Sequence, residues 1–539
     1  MRYKTFVFLG LIILLAIFLR LFKLGQNPPG LYWDEASLGY NAFAILTTGH
    51  DEHGQYLPIT RFVAFGDYKP PGYIYAVVPS LVLFGTTEFA IRFPSAVSGI
   101  LFVIFTFLIT KELFKSKKLA LLAALFMSVS PWSLQLSRAG FEAHLAAVLH
   151  LLGTFLLLKS LNHKPWLLLL SALFFSLTFY TFNANRVLLP IWLLFLGIIF
   201  FRELWKIKYW VLGSLILGII LLSPYYSYFK TQESKSRLQE VSIFNNLEIV
   251  ETANERIARS GNAWWAKLIH NRRVGFAREY FLHYFDNFRG DYLFVHGDRN
   301  PRLSIQDVGE LYIIEAVFVI FGLYYLIKLK NKSSLLIFGW LLLAPIPAAM
   351  ARETPHMLRT ASVLPVWQII SAMGIFKFWQ WSKNQNRVLV RILPLLTVLI
   401  LGLNIFYYLH QYFVHYPIVW NGEWQYGYKQ MVEEVQKYET GFDQVYITES
   451  LGRPYIYFLL YNRINPLIYV QSRDASRDWY GFWEVKSFGF GRYVFQNPDT
   501  VMPPNSLVVA KPGSFTDKGC KLSEVKAPDG RVVFEIGTY

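Results

Sequence analysis

Two adjacent carboxylates, Asp34 and Glu35, stand in the stretch LYWDEASLGY, shortly after an apolar N-terminal run. Cations follow at intervals: Lys69 in FGDYKPPGYIY, Arg92 in EFAIRFPSAVSG, Arg138 with Glu142 and His144 in SRAGFEAH, and Arg186 in TFNANR. Arg352, Glu353, His356 and Arg359 close the series in ARETPHMLR. A carboxylate can take the proton of an attacking hydroxyl. Lys, Arg or a metal ion can stabilise the charge that grows on a departing phosphate. The set therefore suits group transfer from a lipid phosphate. The sugar carbon of a polyprenyl-phosphate sugar already carries a good leaving group and needs no general acid. A base on the opposite face of the ring would make the displacement inverting. On this reading Asp34 and Glu35 are the catalytic acids, and Lys69, Arg92, Arg138, Arg186, His356 and Arg359 bind the donor phosphate. A plainer reading stands beside it. Asp34 can cap a helix with a first-turn acid behind it, and each cation can anchor to lipid headgroups.

These residues must be held by membrane elements. Of the 539 residues, 54% are hydrophobic and 18% aromatic, the charged fraction is only 16%, and mean hydropathy is +0.32. That composition indicates a polytopic membrane protein with some soluble mass. The net charge of +16 falls largely in short linkers between apolar runs, where membrane orientation explains it better than nucleic acid does. The single Cys520 excludes an intramolecular disulfide and a multi-cysteine metal site. FVFLGLIILLAIFLRLF, preceded by Arg2 and Lys4, has no small-residue cleavage site after it and is expected as an uncleaved first span.

Apolar runs predict spans at 5–24, 93–112, 118–136, 143–160, 165–183, 187–203, 208–224, 308–328, 333–350, 358–379 and 388–408, about eleven in all. The fold expected is a mainly α membrane bundle with juxtamembrane helices in the first outer loop. The linkers KELFKSKK, KSLNHK, FRELWKIK, KLKNK and WSKNQNR are short and basic, which places them and the N-terminus in the cytoplasm of a bacterial-type plasma membrane. Arg20 and Lys23 run against this trend and are expected to snorkel. The opposite linkers, 25–92, 137–144, 181–186, 225–307 and 351–359, mix acids, histidines, arginines and aromatics. The outer face thus carries the chemistry. Residues 1–408 are expected as the membrane domain and 409–539 as an outer α/β domain. In that tail YGYKQMVEEVQKY reads as a helix, while DQVYITES, YIYFLLY, NPLIYVQ, SLVVAK and RVVFEIG read as strands.

The order DEASLGYNA, YKPPGYIY, EFAIRFPSAVSG resembles the N-terminal region of family 39-like glycosyltransferases of the GT-C fold class. These include the protein O-mannosyltransferases and the bacterial lipid A aminoarabinose transferase. The resemblance is specific over residues 1–190 and weakens to topology plus RETPHMLR up to 408. It implies that Asp34 is the base, that Lys69 contacts the donor phosphate, and that Glu142 takes the place of a second outer acid. It implies a polyprenyl-phosphate sugar as donor, a lipid, glycan or protein acceptor, and membrane lipids rather than nucleic acid as surroundings. The aminoarabinose transferase carries Glu before its Lys-Pro-Pro; here Tyr68 stands there, which weakens any metal ligand at that position. A divalent cation stays open through His50, Asp51, Glu52 and His53 of GHDEHGQ, although such a loop is ordinarily solvated. Asp298 and Arg302 in HGDRNPR suit either loop structure or acceptor contact. Tyr32, Trp33, Tyr40, Tyr68 and Tyr73 suit either sugar stacking or an interfacial belt. The competing function is a flippase or transporter of lipid-linked sugars, which would place ionisable groups near the bilayer midplane. A transferase of phosphoethanolamine or of a whole oligosaccharide is a third.

Overall fold

The computed structural model describes residues 2–162, 164–231, 234, 242–384, 387–478, 482–497, 502–515 and 519–538. Two compact units divide the chain. One comprises Met1–Leu19, Ser98–Leu136 and Glu142–Tyr408; the other comprises Arg20–Val97, Ser137–Phe141 and Leu409–Tyr539. The sequence reading cut the chain once, at 408; the compact unit that holds the tail also takes in the first outer stretch.

The first unit is helical. Across the described residues, six helices are long and apolar enough to cross a membrane: Tyr3–Leu21, Glu88–Phe114, Glu142–Ser160, Lys332–Ala349, Ala361–Ser382 and Val388–Val419. A seventh crossing forms if Lys117–Val129 and Pro131–Ser137, bent by 54° at the Ser130–Pro131 step, count as one. Three of the eleven expected spans are shorter apolar helices, Leu167–Thr181, Asn183–Ile199 and Lys208–Leu222. The span expected from 308 starts only at Glu315. Close packing is bought by small residues: a β-carbon at Gly322 would strike the carbonyl of Ile370, and one at Gly374 that of Phe318. Buried Trp192 and Trp340 pack with ring centroids 4.9 Å apart, and both indole N–H groups are satisfied, by Thr154 Oγ1 at 3.1 Å and the Ser362 carbonyl at 2.8 Å. Among the described residues of 225–307 the helices include the end of Pro224–Tyr228, a 3-10 turn at Ile243–Asn245, and Leu247–Arg259, Trp264–Ile269, Arg272–Asp286 and Gly290–Phe294. Of the stretch expected to be helix-like, 235–241 lies outside the described residues.

The second unit begins with helices Trp33–Thr48 and Pro71–Phe84, separated by a short hairpin, β1 (Phe62–Ala64) and β2 (Asp67–Lys69). Its tail holds a sheet of β3 (Gln444–Ile447), β4 (Asp474–Arg477), β5 (Trp483–Phe488), β6 (Tyr493–Phe495), β7 (Ser506–Ala510), β8 (Cys520–Lys526) and β9 (Val532–Thr538). The order is β4-β5-β6-β3-β7-β9-β8, with β3 parallel to both β6 and β7 and all other pairs antiparallel. β7 is buried throughout, as a strand covered on both faces must be, while polar β4 and β8 form the edges.

Helix Tyr428–Tyr438 and strands β3, β7 and β9 agree with the sequence reading. Two segments do not. YIYFLLY and NPLIYVQ are helices, Tyr455–Tyr461 and Pro466–Ser472. Six of the seven side chains from Tyr455 are buried, so the segment shows no periodicity that could separate strand from helix. The second segment did carry a signal: Asn465 caps the Leu467 N–H at 2.9 Å and Pro466 opens the helix. Arg20 does not snorkel; it is fully buried. Tyr40, Tyr68 and Tyr73 are buried as well, Tyr73 bonding the Ile91 carbonyl at 2.9 Å and Tyr40 that of Ile464 at 3.1 Å. They are core residues of the second unit, neither belt nor sugar platform.

Candidate active site

Tyr32 is the N-cap of helix Trp33–Thr48, so Trp33, Asp34 and Glu35 form its first turn. Acids suit that position because the helix N-terminus carries partial positive charge. Their environments differ sharply. Glu35 is 0% exposed. Its Oε1 accepts Arg92 Nε at 2.8 Å and the Gly140 N–H at 2.7 Å; its Oε2 accepts Arg92 Nη2 at 2.9 Å and the Tyr32 N–H at 3.3 Å. The last bond is half of a capping box. The approach is close, since a β-carbon at Gly140 would lie 3.2 Å from Glu35 Cγ. Arg92 spends its other donors on the carbonyls of Leu24 (3.3 Å), Pro28 (2.7 Å) and Gly30. Arg138 does likewise, bonding the carbonyls of Arg20 at 3.2 Å, Phe22 at 2.8 Å and Asn27 at 2.9 Å, and Tyr412 Oη at 3.2 Å. Arg92 thus ties residues 24–30 to the start of the helix, and Arg138 ties residues 20–27 to Tyr412.

Asp34, one residue earlier, remains 24% exposed, and Lys69 Nζ stands 3.4 Å from its Oδ1. The lysine comes from the hairpin. Phe65 (φ 58°) and Gly66 (φ 93°) make the two-residue turn, which needs φ > 0 at both positions. Asp67 and Lys69, two apart on β2, share a face, and Asp67 Oδ2 lies 3.3 Å from Nζ. Tyr68 points the other way and is buried. Pro70 is extended and Pro71 opens the following helix, so the lysine leaves the hairpin at a helix mouth, as the Pro-Pro step predicts.

The tail supplies further partners that no local signal in the sequence marks. Gln425 Oε1 accepts the Trp33 N–H at 2.7 Å and Tyr457 Oη at 2.7 Å. Lys429 Nζ and Tyr461 Oη reach Glu88 at 3.0 Å and 3.1 Å. The GHDEHGQ loop is also consumed by structure. Asp51 Oδ1 accepts the His53 and Gln55 N–H groups at 2.9 and 2.8 Å, while Glu52 accepts Tyr455 Oη at 2.8 Å and Asn41 Nδ2 at 3.3 Å. Burial pushes the Glu52 carboxyl up to about 7, and burial together with Arg473 and Arg477 pushes His53 down to about 3. Among the described residues, no three His, Cys, Asp or Glu side chains converge as metal ligands.

The remaining expected site residues lie in the first unit. Glu142 is the half-buried first residue of helix Glu142–Ser160, and His144 is buried with Nδ1 2.9 Å from Ser98 Oγ. Arg186 sits over the rings of Tyr225 (4.7 Å), Phe179 and Tyr228, with Nη2 3.0 Å from Tyr225 Oη. His356 is held well below its usual range by burial and then by Arg359, which disfavours its charged form. Arg359 Nη1 bonds the Glu353 carbonyl at 3.0 Å. Asp298 accepts the N–H groups of Asn300 (2.9 Å) and Met357 (2.8 Å) and is loop structure.

Residues 68–228 match the profile of the family described as dolichyl-phosphate-mannose-protein mannosyltransferase. The whole chain superposes on ArnT from Cupriavidus metallidurans in the apo state, covering 99% of this chain and 98% of that one, with TM-score 0.57 and 11% identity. ArnT bound to undecaprenyl phosphate gives TM-score 0.56 over 98% and 97%, at 11% identity. The oligosaccharyltransferase AglB from Archaeoglobus fulgidus, in complex with an inhibitory peptide and a dolichol-phosphate, gives TM-score 0.50 over 86% of this chain and 64% of its own, at 14% identity. No curated protein sequence matches this chain. The fold is that of the GT-C class.

Proposed function

We propose that this chain, a multi-pass membrane glycosyltransferase of the GT-C class, moves a sugar from a polyprenyl-phosphate donor to an acceptor hydroxyl on the outer face of the membrane, with inversion. The observation that carries the reading is the Asp34–Lys69 pair, 3.4 Å apart and reachable from solvent, beside a fully buried Glu35. Glu35 has both oxygens filled by Arg92, Gly140 and Tyr32, so it holds the helix. Asp34 is the acid left to act on substrate. Arg92 and Arg138 are assigned a supporting task too, since their donors go to Glu35, Tyr412 and backbone carbonyls.

In this reading the donor phosphate draws the Lys69 ammonium away from Asp34. The carboxylate then takes the acceptor hydroxyl proton as the oxygen attacks the anomeric carbon. The new C–O bond forms, the bond from the anomeric carbon to the phosphate oxygen breaks, and the electron pair leaves with the polyprenyl phosphate. Attack opposite the leaving group inverts the centre. Two facts support a lipid-phosphate donor: the family segment 68–228, which contains Lys69, and the ArnT fold, solved for that protein with undecaprenyl phosphate. Basic linkers on the other side of the spans support an outer site.

The test is transfer in membranes given radiolabelled polyprenyl-phosphate sugars, comparing wild type with Asp34→Asn. Loss of about 10²–10⁴-fold is expected for a general base. Full retention would refute the assignment of Asp34. Mass spectrometry of glycolipids and glycoproteins from the same cells identifies the sugar and acceptor by mass difference.

A further inference from the structure

Helix Trp33–Thr48 begins without a capping side chain at its N-cap, because Tyr32 cannot do what Ser, Thr, Asp or Asn does there. Its first N–H, that of Trp33, is nonetheless satisfied. The acceptor is the amide oxygen of Gln425, at 2.7 Å and 392 positions away in sequence. The same oxygen accepts Tyr457 Oη at 2.7 Å, and Tyr457 Oη also lies 2.9 Å from the Leu31 carbonyl. Gln425 Nε2 donates to the Leu451 carbonyl at 2.9 Å. These bonds fix which end of the amide faces the helix. Tyr457 is fixed in turn by stacking on Tyr428, with centroids 4.2 Å apart and planes 9° apart.

Two backbone observations bear on the arrangement. Gln425 has φ 51°, in the left-handed region where glycine is cheapest and a glutamine is strained. Gly452, at φ 122°, must stay bare, since a β-carbon would lie 2.7 Å from both Gln425 Nε2 and the Trp33 ring. A strained, side-chain-bearing residue kept where glycine would fit better points to a task for that side chain.

We propose that Gln425 and Tyr457 are positioning residues of the transferase: Gln425 caps the Asp34 helix from the C-terminal α/β region and the Tyr457 hydroxyl holds the Gln425 amide, which makes the tail a working part of the catalytic centre. The inference rests on the reading of Asp34 as the base. It assigns the tail a role in the rate of transfer, since Asp34 follows directly on the capped residue and moves with it.

The experiment uses the full chain in nanodiscs with radiolabelled polyprenyl-phosphate hexose and pentose as probes. Gln425→Gly relieves the backbone strain while deleting the cap; Tyr457→Phe keeps the stack and deletes one hydroxyl; Gln425→Glu restores an acceptor oxygen. Expected are a kcat about five- to tenfold lower for the first two, donor KM unchanged, a melting temperature for Gln425→Gly equal to or above wild type, and partial recovery in Gln425→Glu. Hydrogen exchange of the peptide spanning residues 31–40 should be about tenfold faster at its first amides in the same two variants. Unchanged exchange overturns the capping. Faster exchange with unchanged kcat overturns the positioning role. Full activity of Asp34→Asn in the same assay overturns the base reading alone, and the exchange measurement still judges the cap.

Discussion

The buried pair of Glu35 and Arg92 makes the most demanding prediction. Arg92→Met removes a guanidinium that forms a two-point bond to Glu35 (2.8 and 2.9 Å) and supplies three backbone carbonyls, with both side chains 0% exposed. A buried carboxylate then keeps only the Gly140 and Tyr32 N–H groups. Breaking a buried pair from one side costs about 3–5 kcal/mol, because the remaining charge is stranded. Each orphaned carbonyl adds about 1 kcal/mol or more unless water reaches it. For a unit of roughly 200 residues, a loss of about 4 kcal/mol corresponds to a melting shift of about 8–16 °C. The double variant Glu35→Gln with Arg92→Met should recover part of this, since no charge is left behind, giving a favourable coupling of about 2 kcal/mol in the cycle. The assay is thermal unfolding in nanodiscs, with wild type, both single variants and the double variant in parallel. A single Arg92→Met variant within 2 °C of wild type, or strictly additive effects, would refute the claim that this pair anchors the helix start.

Other outcomes follow from the same geometry. Lys69→Met should lower transfer by about 10²-fold or more, mainly through weaker donor binding, with less than about 1 kcal/mol of stability lost because the ion pairs are partly exposed; an unchanged donor KM would count against a phosphate contact. Gly452→Ala should destabilise by about 2 kcal/mol and lower kcat, as read by melting temperature and transfer rate, since it adds a β-carbon at φ 122° against Gln425 and Trp33. Glu52, held up near 7 against an ordinary 4.5, keeps its proton in the fold where the unfolded chain has lost it, so its contribution is full below about 4.5 and is lost as pH rises to about 7. His53, held near 3 against 6.5, has the opposite slope between those values, and the two largely cancel from about 4.5 to 6.5. Glu52→Gln should therefore gain on wild type progressively from pH 4.5 to 7, by about 2–3 kcal/mol at the top, in melting curves taken across that range; a gap that does not widen with pH would contradict this.

Much of this protein is legible in its residues alone, because the signals are local. Apolar runs, basic linkers and low charge specify a polytopic membrane protein. Lys69-Pro70-Pro71 specifies an extended lysine followed by a helix start, and the Asp34–Glu35 pair specifies the first turn of a helix. Each depends on neighbours a few positions apart, where steric and dipolar preferences act directly. Helix or strand at Tyr455–Tyr461 was not decidable that way, since six buried side chains in seven leave no period to read. The difference in exposure between two adjacent acids was decided by tertiary structure. Glu35 is buried and Asp34 open because Arg92, 57 positions on, and Gly140, 105 positions on, converge on one carboxylate and leave the other. The cap on Trp33 from Gln425 is of the same kind. Such bonds join residues whose proximity exists only after the chain has folded, and a hydrogen-bond donor leaves no trace in sequence of the acceptor it will meet.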